Sequence, residues 1–396
     1  MSAMSGSHIA VLGGLDEGGM EIAMLRMLGK LLNKGFHISL ITLESEGPLS
    51  TRIPQQITVR HCHFCSAFAQ SIGLNDFDGL GALRTAIYRS GRKTLTLLSN
   101  DHRNRVYDVA LAAIDNIPQD QFDAVLDFRG YGSLTTAIGT ALQSRRKATW
   151  LHDERMEWLG LELPYLDAYE KVFCVSESVC ARFCQLAPQF ANKAEVLYNP
   201  VDAQAIIAKA ASPLHDSRVI SDDSAMPMLV TLGRLEWQKG LDIAVDAAAR
   251  LKHSGVDFRW YVLGEGKERA QLQEAIQRNR LDRQFVLLGH VDNPYPYMAA
   301  ASIYVQPSRY EGYSLSLQEA RVLGKPIVAS DVPSSREQIT NGTNGLLVPL
   351  TPDGLADGIV KLLGNESLQR QFGAALRQES FNFDAQLDTL YRFLED

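Results

Sequence analysis

No run of apolar residues in this 396-residue chain reaches the roughly 20 needed to cross a bilayer as a helix. The opening residues, Met1 to His8, lack the charged-then-apolar layout of a secretory signal, and the first apolar segment, Ile9 to Leu12, is too short for one. The expected location is therefore cytoplasmic. Cysteine is scarce: five in the whole chain do not make a disulfide framework. His61-Cys62-His63-Phe64-Cys65 looks like half of a zinc site, but a closed site takes a second ligand pair. The other candidates are Cys180 and Cys184, at helical spacing, so residues 59–64 read better as a strand with buried thiols. Asp76-Phe77-Asp78 is the one Asp-x-Asp triplet, the kind metal-dependent sugar transferases use. No strong strand leads into it, and it reads as surface charge, so no metal is expected. Positive charge is also in deficit. With 39 basic and 46 acidic residues the net charge is −7, which argues against general nucleic-acid binding.

What remains is a globular composition, 45% hydrophobic and 21% charged, in a chain longer than one core usually fills. Two domains are expected. Short apolar strands alternate with helical stretches, the pattern of an α/β fold with parallel sheets. Residues 8–12 read as the first strand, followed by a glycine loop over 13–19 and a helix from Met20 to Lys34 that Gly35 terminates. Further strands are predicted over 36–43, 124–128, 148–151 and 171–175, with Ser176 placed to cap the helix after the last. A second set runs over 228–232, 258–263, 285–288, 303–306 and 326–329, after a polar stretch over 211–228. The two sets divide the chain near residue 200. Residues 381–394 carry apolar side chains at roughly helical spacing and form a terminal amphipathic helix.

Folds of this kind bind ligands in the crevice at the carboxyl ends of their strands, and four clusters fall there. Arg234 and Lys239 follow the strand 228–232 and precede a helix, where two cations suit a diphosphate. Taken locally they also fit a solvated loop. Glu311 and Glu319 flank the start of a helix whose free N–H groups make an anion site, with Ser314 or Ser316 as its cap. Glu319 alone has a helix-start explanation; Glu311 has none. His152 sits just past the strand 148–151, where a neutral imidazole can meet a hydroxyl or simply complete a turn. Gly13-Gly14 and Gly18-Gly19 do not form the dinucleotide fingerprint, which weakens a nicotinamide-cofactor reading.

Taken together, the clusters resemble retaining glycosyltransferases of the GT-B fold, in the large family with an E-x7-E motif that includes sucrose, lipopolysaccharide and phosphatidylinositol glycosyltransferases. The resemblance rests on Gly233-Arg234-Leu235 with Lys239-Gly240, Val262-Leu-Gly-Glu-Gly266, Leu288-Gly-His-Val291, Asn293-Pro-Tyr-Pro-Tyr297, Pro307-Ser308, Glu311 with Glu319, Gly324 to Asp331, and Asn344 to Val348. Gly18-Gly-Met-Glu21, Val172 to Ser176 and Asn199-Pro-Val-Asp202 match more loosely. Two departures stand out: Ala301-Ser302 where many relatives have Ala-Asp, and Ser316 where many have proline.

The resemblance implies two doubly wound Rossmann-like domains facing across a cleft. Residues 1–200 would be the acceptor side, 201–378 the nucleotide-sugar side, and 379–396 a helix crossing back to the first domain. It implies a donor diphosphate clamp at Arg234 and Lys239, a ribose ligand at Glu319, and a donor-sugar contact at Glu311 with the backbone of Gly312, Tyr313, Ser314 and Leu315. It further implies a base contact at Val291, a diphosphate-facing loop at Gly18 and Gly19, and a cleft histidine at His152. The implied reaction moves a sugar, from UDP by default, to a glycan or lipid-linked glycan in bacterial surface polysaccharide synthesis, without metal or cofactor. The basic segment Arg84 to Arg105, with apolar residues interleaved, is a candidate peripheral contact for the inner face of the cytoplasmic membrane and fits a solvated helix face as well. A GT-B epimerase and a noncatalytic sugar-nucleotide-binding protein are the competing functions.

Overall fold

In a computed structural model the described residues are 6–16, 18–65, 107–216, 218–219 and 226–395. The acid triplet at 76–78 and the basic segment 84–105 lie outside them. The chain divides into two compact units, Met1–Pro200 with Asp384–Asp396, and Val201–Phe383.

The first unit is built on β1 (His8–Leu12), β2 (His37–Thr42), β3 (Thr58–His61), β6 (Gln121–Asp127), β7 (Gln143–Leu151), β8 (Lys171–Cys174) and β9 (Ala194–Val196). They form one parallel sheet in the order β3-β2-β1-β6-β7-β8-β9. Strands buried on both faces are near-continuous apolar runs, which is why Ile9 to Leu12 and Val172 to Cys174 are solvent-free. The helix Gly19–Asn33 ends as the sequence suggests. Gly35 takes φ 90°, its N–H donates to the Leu32 carbonyl, and that of Phe36 donates to Leu31, closing the last turn. Ser176 caps the helix Glu177–Leu186 by accepting from the Val179 N–H.

Two local expectations change. The single strand expected over 59–64 is two: β3 stays with the large sheet, whereas β4 (His63–Phe64) pairs antiparallel with β5 (Ile114–Asp115). The Cys62 N–H still reaches Thr42 of β2, so the chain turns away only after that bond is made. The tail is also two short helices, Phe383–Gln386 and Asp388–Glu395. The second packs on the first unit, with Phe393 edge-on to Phe173 and under the Arg146 guanidinium.

The second unit carries β10 (Met228–Leu232), β11 (Arg259–Leu263), β12 (Phe285–Gly289), β13 (Ile303–Gln306), β14 (Ile327–Ser330) and β15 (Leu346–Val348). Their order is β12-β11-β10-β13-β14-β15, all parallel. Helices cover both faces. On one, Leu241–His253 and Pro352–Leu363 bury Ala244, Val245, Ala248, Leu355 and Ile359 against Trp260 and Phe285. On the other, Leu317 and Ala320 pack with Tyr261, Met298 and Tyr304. Each fully buried large apolar side chain contributes about 1.5–3 kcal/mol, before conformational entropy is set against it. In both units the first strand lies between the second and the fourth in order. The strand direction of travel reverses between β1 and β6, and again between β10 and β13, and such a switch point opens a crevice at the strand ends.

Candidate functional site

The crevice of the second unit is bounded by the segment after β10, residues 233–240, and the segment after β13, residues 307–314. Gly240 sits in the left-handed region at φ 63°, and a Cβ there would stand 2.0 Å from the Pro307 carbonyl oxygen. Glycine is therefore required twice over, for backbone angle and for the approach of the two segments. Once close, they are laced together. The Arg309 N–H donates to the Gln238 carbonyl at 2.8 Å, and the Gln238 amide donates to the Tyr310 carbonyl at 3.1 Å. The Arg309 guanidinium forks onto both oxygens of Asp242, at 2.8 and 2.6 Å, and lies 4.5 Å over the Trp237 ring.

This lacing brings Lys239 to Glu311. The ammonium donates to Glu311 Oε1 at 2.7 Å, with side-chain exposures of 16% and 7%. Ser308 Oγ donates to the same oxygen at 2.6 Å and Gln306 Nε2 at 3.0 Å. Ser308 is itself held, its carbonyl accepting from Ser330 Oγ at 2.5 Å. Glu319 lies within the helix Leu315–Val322 and is buried, accepting from the Tyr295 hydroxyl at 3.1 Å. Ser314, not Ser316, caps that helix through the Leu317 N–H at 3.3 Å. Arg234 is different: its side chain is 55% exposed, with Glu236 at 3.4 Å. It follows the end of β10 and is open to a ligand. Gly312 is buried, Tyr313 and Leu315 are partly buried, and Val291 is partly buried just past β12. Burial pushes the Tyr313 phenol up, so it stays a neutral hydroxyl.

Residues 226–365, which hold every one of these groups, match the family model described as Glycosyl transferases group 1. This stretch belongs to the group 1 glycosyl transferases. The chain is 30% identical over 176 residues to an α-D-kanosaminyltransferase of Streptomyces kanamyceticus, covering 42% of this chain and 45% of that protein. It is 29% identical over 195 residues to a diphospho-undecaprenol-directed N-acetylgalactosaminyltransferase of Campylobacter jejuni, covering 49% of this chain and 50% of that protein. The chain thus spans about half the length of the curated relatives it matches. Anabaena HepE, solved with UDP and glucose, superposes with a TM-score of 0.71 over 98% of this chain and all of that one, at 18% identity. At that identity the likeness gives the fold, which is GT-B: two Rossmann-like units.

In the first unit, Gly18 is the N-cap of the helix Gly19–Asn33, in extended backbone, with the Glu21 carboxylate folded against it. Arg129, just past β6, is ion-paired with Glu44 and lies 3.8 Å from Asp16. His152 follows β7, and one ring nitrogen, Nε2, meets the Phe128 carbonyl. Burial depresses its pKa from 6.5 to about 4, against the opposing effect of that carbonyl. The ring is therefore neutral, Nε2 carries the proton it donates to Phe128, and Nδ1 presents a lone pair. Such a group accepts a hydrogen bond from a hydroxyl.

Gln306 and Arg309 were not among the residues singled out from the sequence, and Ser308 and Tyr295 entered only within motifs, with no role given to either. Gln306 did carry a signal. It is polar in the otherwise apolar strand Ile303-Tyr-Val-Gln306, and a polar residue buried in such a strand needs partners. Its own partners lie within ten positions of it, whereas the bond that completes the cluster joins Lys239 to Glu311 across 72 positions and was not readable. Among the described residues, no cluster of three or more His, Cys, Asp or Glu is arranged to hold a metal ion. No helix among them is long and apolar enough to cross a membrane.

Proposed function

We propose that this chain is a retaining glycosyltransferase that moves a sugar from a nucleoside-diphosphate sugar, with UDP the nucleotide to test first, to an acceptor hydroxyl. The observation that carries the proposal is the Lys239–Glu311 pair, set with Arg234 and the start of the 315–322 helix around one switch point. Cations and helix N–H groups suit a diphosphate, and the neighbouring carboxylates suit ribose and sugar hydroxyls. The UDP complex of a protein with this fold supports UDP as the donor nucleotide.

In this proposal Arg234, Lys239 and the helix start stabilise the negative charge that gathers on the departing diphosphate as the sugar–oxygen bond breaks. The sugar passes through an oxocarbenium-like state. The acceptor attacks from the face the diphosphate leaves, giving its proton to a diphosphate oxygen, so configuration is retained. Glu311 fixes the sugar and Glu319 the ribose. Val291 meets the base, Gly18 and Gly19 approach the diphosphate, and Nδ1 of His152 accepts from a sugar hydroxyl. The acceptor class we propose is a glycan or lipid-linked glycan. The Campylobacter relative, whose name specifies a diphospho-undecaprenol-linked acceptor, and the basic sequence over 84–105 support it.

A thermal-shift panel of UDP-, GDP- and ADP-sugars against NAD identifies the donor. Turnover of the responding nucleotide-sugar is then measured in Arg234→Ala and Lys239→Ala. Loss of turnover in both is the expected result, and intact turnover in either would remove the clamp. Epimerisation of the donor with no acceptor present would replace transfer by epimerase chemistry.

A further inference from the structure

Gln306 is the last residue of β13 and is buried, and its amide makes four hydrogen bonds. Nε2 donates to Ser308 Oγ at 2.6 Å and to Glu311 Oε1 at 3.0 Å. Oε1 accepts from the Tyr304 hydroxyl at 2.7 Å and from Ser316 Oγ at 3.2 Å. The chemistry of the partners fixes the orientation of the amide. A carboxylate only accepts, so nitrogen must face Glu311, and the two hydroxyls on the other side can both donate to the carbonyl.

Two consequences follow. First, Glu311 Oε1 takes three donors, from Lys239, Ser308 and Gln306, while no hydrogen bond reaches Oε2 from any described residue. The carboxylate is thereby held in one rotamer with one oxygen committed to the protein and the other open. Second, the segment 307–314 leaves Gln306 and returns to it. Its carboxylate Glu311 is bound on the nitrogen side, and Ser316, in the first turn of the helix that follows, is bound on the oxygen side. Ser316 stands where many relatives have proline, which has no hydroxyl, so this second tie depends on the residue that departs from the common pattern.

We propose that Gln306 is a positioning residue for donor-sugar recognition. With Ser316 it fixes the open oxygen of Glu311 relative to the start of the 315–322 helix, and so sets which arrangement of ring hydroxyls is accepted. This rests on the glycosyltransferase proposal above. Gln306 does not itself reach the reacting atoms; it acts through Glu311 and the segment backbone.

The test compares wild type, Gln306→Leu and Ser316→Ala. The probes are UDP-glucose with UDP-galactose, and UDP-N-acetylglucosamine with UDP-N-acetylgalactosamine; each pair differs at one ring hydroxyl. kcat and KM are measured for each, and the Kd of UDP alone by calorimetry. For Gln306→Leu the expected loss in kcat/KM for the preferred sugar is about ten- to a hundredfold, the size of a lost hydrogen bond to a charged group. The preference between epimers falls with it, while the Kd of UDP stays within about twofold, because none of the four bonds involves the groups expected to hold the nucleotide. For Ser316→Ala the same pattern is expected at about two- to tenfold, the range for a neutral hydrogen bond. Ser316 is only partly buried, so this variant carries the test if Gln306→Leu does not fold. Unchanged epimer preference overturns the proposal, as does a loss of UDP binding in step with the loss of turnover, which would mark general damage. A wild-type protein that turns over none of the four probes or other nucleotide-sugars would instead refute the glycosyltransferase proposal itself.

Discussion

Substituting Glu311→Gln tests the centre of the site through two quantities that should move in opposite directions. The change keeps the side-chain shape and removes the charge that offsets the Lys239 ammonium 2.7 Å away. Removing one partner of a buried ion pair costs about 3–5 kcal/mol when the survivor is wholly buried. Lys239 retains 16% exposure and can turn part of its charge to water, so the expected cost is lower, about 2–3 kcal/mol. For a domain of this size each kcal/mol lowers the melting temperature by about 2–4 °C, so a fall of about 5–10 °C is expected by calorimetry. The freed ammonium then becomes a better phosphate ligand. UDP should bind about threefold or more tightly to the variant than to wild type, and should recover more of the lost melting temperature. Turnover of the nucleotide-sugar should fall by about a hundredfold or more, since the three donors at Oε1 hold the amide oxygen there and the position proposed to face the sugar becomes an NH2 donor in place of an acceptor. Unchanged stability would show that the pair is not a buried unit. A fall in UDP affinity parallel to the fall in turnover would show that Glu311 does not compete with phosphate for Lys239.

Other expectations follow from single contacts. Gly240→Ala puts a Cβ 2.0 Å from the Pro307 carbonyl at a positive φ, and should lower unfolding stability by about 2–3 kcal/mol in urea titration while weakening UDP binding, because the two segments must part. Arg309→Ala breaks the fork to Asp242 and uncovers Trp237; a smaller loss, about 1–2 kcal/mol, with an altered tryptophan emission spectrum, is expected. His152 is held neutral by burial, with its pKa at about 4, while in the unfolded chain the ring is protonated below about 6.5. The unfolded state therefore binds more protons between those values. The residue's contribution is fully present above about pH 6.5 and is lost progressively down to pH 4, by about 3 kcal/mol in all. His152→Phe should flatten that part of the stability–pH curve measured by chemical denaturation. Flotation with anionic liposomes at low salt should depend on the arginines and lysine between 84 and 105; equal recovery with neutral liposomes would remove the membrane proposal.

The architecture was legible because buried parallel strands cannot hide. Ile9 to Leu12, Phe285 to Leu288 and Ile303 to Val305 are uninterrupted apolar runs, and the helices between them alternate in register. Caps were legible for the same local reason, since Gly35 and Ser176 act on backbone groups two to four residues away. Breaks governed by distant partners were not. The run 59–64 reads as one strand, and only the pairing of His63 and Phe64 with Ile114 and Asp115 divides it. The chain's polar cluster was half visible. Glu311 stood out as unexplained and Lys239 as one of two cations at a strand end, but their bond joins segments that meet only after β10 and β13 pair side by side. Tyr295 and Glu319, 24 positions apart and on different helices, meet for the same reason.

The last residue of the fourth strand in each sheet distinguishes a polar cluster that closes on itself from one that opens toward the proposed donor site. In the first unit this residue is Asp127, wholly buried. It accepts from Thr136 and Thr149 at 2.8 Å on one oxygen, and from the Gly130 N–H at 3.1 Å on the other. Burial raises its pKa against the pull of those bonds. Both oxygens are used, so the cluster closes on itself and fixes the turn after β6 with nothing left to offer a ligand. The second unit places Gln306 at the corresponding position, and its amide passes the bonding outward, to Ser316 on one side and Glu311 on the other. The chain of donors ends at Glu311 Oε1, and the second carboxylate oxygen is left over. That oxygen is not sealed from solvent, and in the proposed function a sugar hydroxyl takes water's place as its donor.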